Sequence, residues 1–209
     1  MEIPLLYRQL EAQLRQWVLP KDRRHLQGYA EAIAAILQSA SACLSHWLPY
    51  MSHRDCKARA HMERLSYLVH NEHITAERFY QPLLAQVLQS FADEALTLTL
   101  DTSILWDQFC LLEVCLAWGG RSITLALYVI EHGSATVGFD TYRSVLETAQ
   151  SVLPENARVT LLADRGFEHG ELMRWLIGRQ WDWAIRAKSD LLVTLPTGRE
   201  LAVHYLRPP

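Results

Sequence analysis

ALTLTLDTS, residues 95–103, is where the period of this chain changes. Apolar and Thr positions alternate along it, which is the pattern of a half-buried β-strand. Asp101 falls at the end of the alternation. Everything ahead of it repeats at helical spacing instead. Leu5, Leu10, Leu14, Trp17 and Val18 recur at steps of three to four residues, and Pro20 closes that segment. Residues 29–44 (YAEAIAAILQSASACL) form a second, Ala-rich helix that ends before Pro49, and residues 55–69 (DCKARAHMERLSYLV) a third. Thr75 is placed to cap a fourth over AERFYQPLLAQVLQSF, with Arg78 where the acid of a capping box would stand.

Downstream of residue 95 the elements alternate. FCLLEVCLAW (109–118) and SITLALYVIEHG (122–133) are strand-like, and Gly119–Gly120 between them suggests an antiparallel hairpin. TYRSVLETAQSVL (141–153) is helical and stops at Pro154, RVTLLAD (158–164) is a buried strand, GELMRWLIGRQ (170–180) a helix, and DWAIRAKSD (182–190) a further strand. The expected organisation is therefore a helical region over residues 1–93, then β-β-β-α-β-α-β over 94–209. That order is the layout of a partial ribonuclease H-like fold within an α+β or α/β class.

Composition narrows the function only slightly. Of the 209 residues half are hydrophobic, with seven Trp and eight Tyr, enough for a packed core and against disorder. No apolar run reaches the roughly 18–20 residues of a membrane helix, and MEIPLLYRQLEAQLRQW lacks the apolar core of a signal peptide, so a cytoplasmic protein is expected. Four scattered cysteines do not make a disulfide framework. The net charge of −3 does not advertise nucleic-acid binding, although Arg8–Arg24 holds five basic residues against two acidic ones.

Asp101 and Asp164 carry the chemistry. Each stands at the end of an apolar strand, and in a ribonuclease H-like sheet those strands are central neighbours. Two carboxylates so close are costly without a cation between them, and Mg2+ or Mn2+ suits an all-oxygen site that keeps several waters. Two such ions can activate a water or 3′-hydroxyl and stabilise the leaving oxygen at phosphorus. Two other constellations are weaker. Cys43-x-x-His46 and His53-x-x-Cys56 could supply four Zn2+ ligands, but the gap of six residues is short, and helix packing is the expectation. His132, Ser134 and Asp140 lie on one loop without a nucleophile elbow.

LTLDTSILWD (98–107) and LLADRGFEHGELMRWL (161–176), followed by WDWAIRAKSD (181–190), resemble the first two catalytic blocks of bacterial DDE transposases of the insertion-sequence-four family. The resemblance covers roughly residues 95–190, and the helical region before it is more loosely similar to the DNA-binding part of such enzymes. It implies that Asp101 and Asp164 bind the catalytic metals, and that Arg165, Arg186 and Lys188 sit near the DNA backbone. The alternative for those three is surface charge or a salt bridge to Asp182 or Asp190. Phe167 reads as a core plug rather than a DNA wedge, and Gly166 as a tight turn. The implied partner is double-stranded DNA, both transposon ends and target, in a nucleoid-associated protein that could act as a homodimer. The family's third carboxylate, a Glu within a Tyr…Arg…Glu…Lys signature, has no counterpart after Asp164, because Glu200 lies in the unrelated TGRELAVHYL. The expectation is thus the N-terminal portion of a longer transposase, inactive by itself. A ribonuclease H-like nuclease, or a DNA-binding inhibitor or partner of a full-length transposase, are the alternatives.

Overall fold

A computed structural model describes residues 5–18, 20–51 and 56–206. The chain forms two units, Met1–Val87 and Leu88–Pro209. His53 and Asp55 lie outside the described residues.

The first unit is helical: α1 (Leu5–Trp17), α2 (Arg23–Ser39), α3 (Leu44–Trp47), α4 (Ala58–Val69) and the start of α5 (Gln81–Leu88). Helix α2 begins well before the Ala-rich run because Asp22 caps it, its Oδ1 accepting the Arg24 N–H at 2.8 Å. Thr75 precedes the next helical segment but makes no side-chain cap. That segment opens as a π-turn over Ala76–Tyr80 before becoming α5. Pro82, which has no N–H to give a helix ladder, stands just inside α5. Tyr7, Leu14, Leu26, Ala30 and Phe79 form one buried cluster. Ala35, Trp47, Met51 and Leu65 form another. Each fully buried Leu or Phe contributes roughly 1.5–3 kcal/mol.

The second unit is a mixed five-stranded sheet: β1 (Ala95–Leu105), β2 (Phe109–Trp118), β3 (Arg121–Glu131), β4 (Arg158–Ala163) and β5 (Asp182–Ile185), ordered β3-β2-β1-β4-β5. Strands β1, β2 and β3 pair antiparallel, so tight turns suffice to join them. The β2–β3 turn is Gly119–Gly120, both at positive φ (56° and 73°). Strand β4 runs parallel to β1, and β5 parallel to β4, which requires crossovers, here α6 (Phe139–Val152) and α7 (Gly170–Gly178). Leu96, Leu98, Leu100, Leu112, Val114, Val159 and Leu161 share the core with Tyr142, Val145, Leu146, Leu172 and Leu176 of the two helices.

Two expectations need correction. Asp101 does not end its strand: β1 runs on to Leu105, because its pairing with β2 continues to Leu105↔Phe109 after its pairing with β4 has stopped at Leu100↔Ala163. Strand β5 ends at Ile185, not at residue 190, because its one neighbour turns away after Ala163, so Arg186 and Lys188 lie beyond the strand. Beyond β5 come residues 192–202. They form a hairpin of β6 (Leu192–Thr194) and β7 (Glu200–Ala202). Its turn closes with Gly198 N–H donating to Leu195 C=O at 2.8 Å, and Gly198 is left-handed (φ 80°). No helix of the described residues is long and apolar enough to cross a membrane.

Candidate functional site

Interstrand register aligns one row of polar side chains across the second unit. Asp101 stands directly opposite Glu113 in the β1–β2 pair. The β1–β4 ladder ends at Leu100↔Ala163 and the β4–β5 ladder at Ala163↔Ile185. The next residues along those three strands are Asp101, Asp164 and Arg186. Asp164 keeps an extended backbone (φ −79°, ψ 178°), and Arg186 N–H still donates to Ala163 C=O at 3.0 Å. Side chains alternate along strands, so Glu113, Asp101, Asp164 and Arg186 share the face opposite Leu98 and Leu100. Neighbouring strands lie about 4.8 Å apart. The leucine face is the one α6 covers, as the hydrogen bond from Tyr128, opposite Leu112, to Thr148 of α6 (2.9 Å) shows.

Both aspartates are exposed, and each has one oxygen fixed by backbone. Asp101 Oδ1 accepts Thr102 N–H at 2.8 Å. Asp164 Oδ1 accepts Gly166 N–H at 2.7 Å and so caps a short 3-10 turn over Arg165–Phe167. Oδ2 of each has no donor among the described residues. Two open carboxylate oxygens on adjacent strands suit a hard divalent cation that retains several waters. The set goes no further: among the described residues no group of three or more His, Cys, Asp or Glu side chains could hold a metal. Glu113 faces Asp101 in register, yet its Oε1 accepts the Thr124 hydroxyl at 2.6 Å, towards β3.

Gly166 is favoured by close approach rather than by a left-handed backbone. A Cβ there would lie 2.9 Å from Asp164 Oδ1. Below the turn, Phe167 is a core residue, 3% exposed, its ring set edge-on to buried Tyr142 with centroids 5.4 Å apart. Arg165, Arg186 and Lys188 are exposed. Among the described residues none of the three has a carboxylate within 4.0 Å, so neither Asp182 nor Asp190 neutralises them. The Lys188 N–H donates to Glu168 Oε2 at 2.7 Å, which fixes the backbone of this exposed residue.

Several of the other sequence candidates make local contacts among the described residues. Cys43 Sγ contacts Ser45 Oγ at 3.1 Å and His46 Nδ1 contacts Ser41 Oγ at 2.9 Å. His132 Nε2 meets Thr136 C=O, and Ser134 Oγ accepts Thr136 N–H, within one loop. Much of the first unit's basic charge is paired: Arg15 and Arg23 with Glu11, Arg24 with Asp22, Arg64 with Glu31. Cavities among the described residues lie elsewhere. One, about 430 Å3, is at the amino ends of β4 and β5 around Arg158 and Asp182, the opposite end from Asp164. Another, about 220 Å3, lies between α2 and α4.

Trp106 is the penultimate residue of the LTLDTSILWD stretch. It and Asp107 form the tip of the β1–β2 hairpin, both left-handed (φ 56° and 55°), with Gln108 N–H donating to Leu105 C=O at 3.2 Å. No Gly or Asn marks this turn, so its register, and with it the pairing of Glu113 and Asp101, carried no sequence signal. The chain matches no protein-family model and no curated protein with significance.

Proposed function

We infer that Asp101 and Asp164 bind divalent metal for phosphodiester chemistry, and that the Leu88–Pro209 unit carries the first two carboxylates of a DDE-type enzyme cutting and joining double-stranded DNA. The observation that carries this reading is the register: both aspartates follow the last paired residues of two parallel neighbours and face the same side. The strand order β3-β2-β1-β4-β5, with the first three strands antiparallel, supports a ribonuclease H-like arrangement, and so does the resemblance of the blocks around Asp101 and Asp164.

In this reading Oδ2 of Asp101 and Oδ2 of Asp164 hold Mg2+ or Mn2+. Bound there, the metal supplies charge neutralisation at phosphate and an acidified water or 3′-hydroxyl. The backbone N–H groups of Thr102 and Gly166 engage Oδ1 of each carboxylate, which leaves Oδ2 of each to take a ligand. Arg165 and Arg186 flank Asp164, and Lys188 lies two residues beyond Arg186; as unpaired cations they give phosphate contacts that position a strand without reading its sequence. With no group of three metal-holding side chains among the described residues, the chain by itself should nick DNA little.

The test is Mn2+ binding to the intact chain, followed by electron paramagnetic resonance, with Mg2+ as competitor. Binding should weaken strongly in Asp101→Asn and in Asp164→Asn, each with an unchanged melting temperature. Mn2+ bound equally well by both variants would overturn the reading. The position of Glu113 favours one second reading, a nuclease with its own third acid. Robust Mg2+-dependent nicking of plasmid DNA, lost in both Asp101→Asn and Glu113→Gln, would establish it instead.

A further inference from the structure

Strand β4 stops at Ala163, opposite Leu100, while β1 and β2 stay paired as far as Leu105↔Phe109. Antiparallel sheet therefore projects past the two aspartates. From Asp101 to Trp106 is five residues, about 17 Å at roughly 3.4 Å per residue. At the tip stands the most exposed large apolar side chain of the second unit, Trp106, 79% exposed. Its backbone is left-handed, a conformation that bulky residues rarely adopt and that Asn or Gly would adopt readily. Gly133 holds the tip: a Cβ at that residue would come 3.0 Å from the Asp107 carbonyl oxygen. Phe109 packs near-perpendicular to the indole, centroids 6.3 Å apart, and the indole remains largely exposed. Strain and an exposed indole together are costs for which folding gives no return, and such outliers gather at functional sites.

We propose that Trp106 stacks on an unpaired nucleobase of the DNA strand held at Asp101 and Asp164. The inference rests on the DNA reading given above. The indole is far more exposed than its strand neighbours Ile104 (36%) and Leu105 (39%), and one ring face matches one base. Asp107 beside it repels phosphate, so the contact is to a base face and not to the backbone. An aromatic ring takes any base, so the contact adds affinity without sequence preference.

The experiment uses the intact chain and two short duplexes of arbitrary sequence, one fully paired and one with 2-aminopurine opposite an abasic site. The wild-type chain should bind the second more tightly and quench its fluorescence. Trp106→Asn should bind that duplex about ten-fold more weakly or worse, lose the quenching, and bind the paired duplex as before. Its melting temperature should rise, because Asn relieves the left-handed strain; a Trp kept for packing would give a fall. Trp106→Tyr should restore part of the quenching. Binding and quenching unchanged in Trp106→Asn, with wild-type DNA binding intact, would overturn this inference alone. A wild-type chain that binds neither duplex at low salt would overturn the DNA reading and this inference with it.

Discussion

Gly166→Ala tests whether the Asp164 turn sets the geometry of the site. The added Cβ would lie 2.9 Å from Asp164 Oδ1, where ordinary contact begins at 3.4 Å, so the oxygen must retreat by about 0.5 Å. That same oxygen accepts Gly166 N–H at 2.7 Å, and the retreat stretches the bond to the edge of a useful hydrogen bond. Losing such a cap costs roughly 0.5–2 kcal/mol, and the exposed position puts it at the low end because water replaces the partner. Against this, Ala restricts the unfolded chain and returns about 0.4–1 kcal/mol. The two nearly cancel, so the melting temperature should move by only a few degrees. Metal affinity has no such offset. Outer-shell contacts that orient a ligand are worth about 10–100-fold in affinity. Mn2+ binding by electron paramagnetic resonance should therefore weaken about ten-fold or more while the fold persists. Faster hydrogen exchange at the residue 166 amide would report the broken cap. Wild-type Mn2+ affinity in a variant with that faster exchange would refute the argument, since the carboxylate would have moved without consequence.

Two further outcomes rest on buried or capping groups. Burial, and then the charge of Glu171, push the Tyr142 phenol up to about 12 from its ordinary 10. The folded state thus keeps a proton that the unfolded chain releases; the associated stability is complete below about pH 10 and lost as pH rises through about 12. Because Tyr142 Oη is buried without a partner among the described residues, Tyr142→Phe should match or exceed wild-type stability at neutral pH. It should also resist alkaline unfolding better, as followed by circular dichroism. Hydrogen bonds from the Arg24 side chain and backbone hold Asp22 down to about 2 from 3.8. Its contribution is present above 3.8 and lost as pH falls through about 2. Asp22→Ala should lower the melting temperature near neutrality, with the difference from wild type vanishing at the acid end; Asp22→Asn, which keeps the cap, should fall less.

Local signals in the sequence were reliable where one interaction decides an element. The β2 run from Phe109 to Trp118 is bounded by a turn that needs positive φ, and Gly119–Gly120 announces it. Helix α6 and strand β4 were similarly plain, closed by Pro154 and by the turn at Asp164. The elements that departed from expectation depend on neighbours. Strand β5 has the composition to run to residue 190 but loses its partner at Ala163. The β6–β7 hairpin carries a local mark, the Pro196-Thr197-Gly198 turn, and the cap at Asp22 is equally local. The site is the extreme case. Asp101 and Asp164 are 63 residues apart, and nothing in either segment specifies the pairing that sets them side by side. Glu113 was hidden for the same reason, since its register runs through a turn built from Trp106 and Asp107.

The row Glu113–Asp101–Asp164–Arg186 exists because four strands count in step. Its order is thus protected unequally against different kinds of error. A substitution in β4, such as Leu162→Val, leaves the count intact and the row in place. Removal of Thr160 alone would shift the rest of β4 by one residue, turn Asp164 to the leucine face, and bring Arg165 to stand beside Asp101. A stretch of only six residues, Arg158–Ala163, is therefore permissive in composition and intolerant in length. Length variation should concentrate outside it, in loops such as residues 132–138.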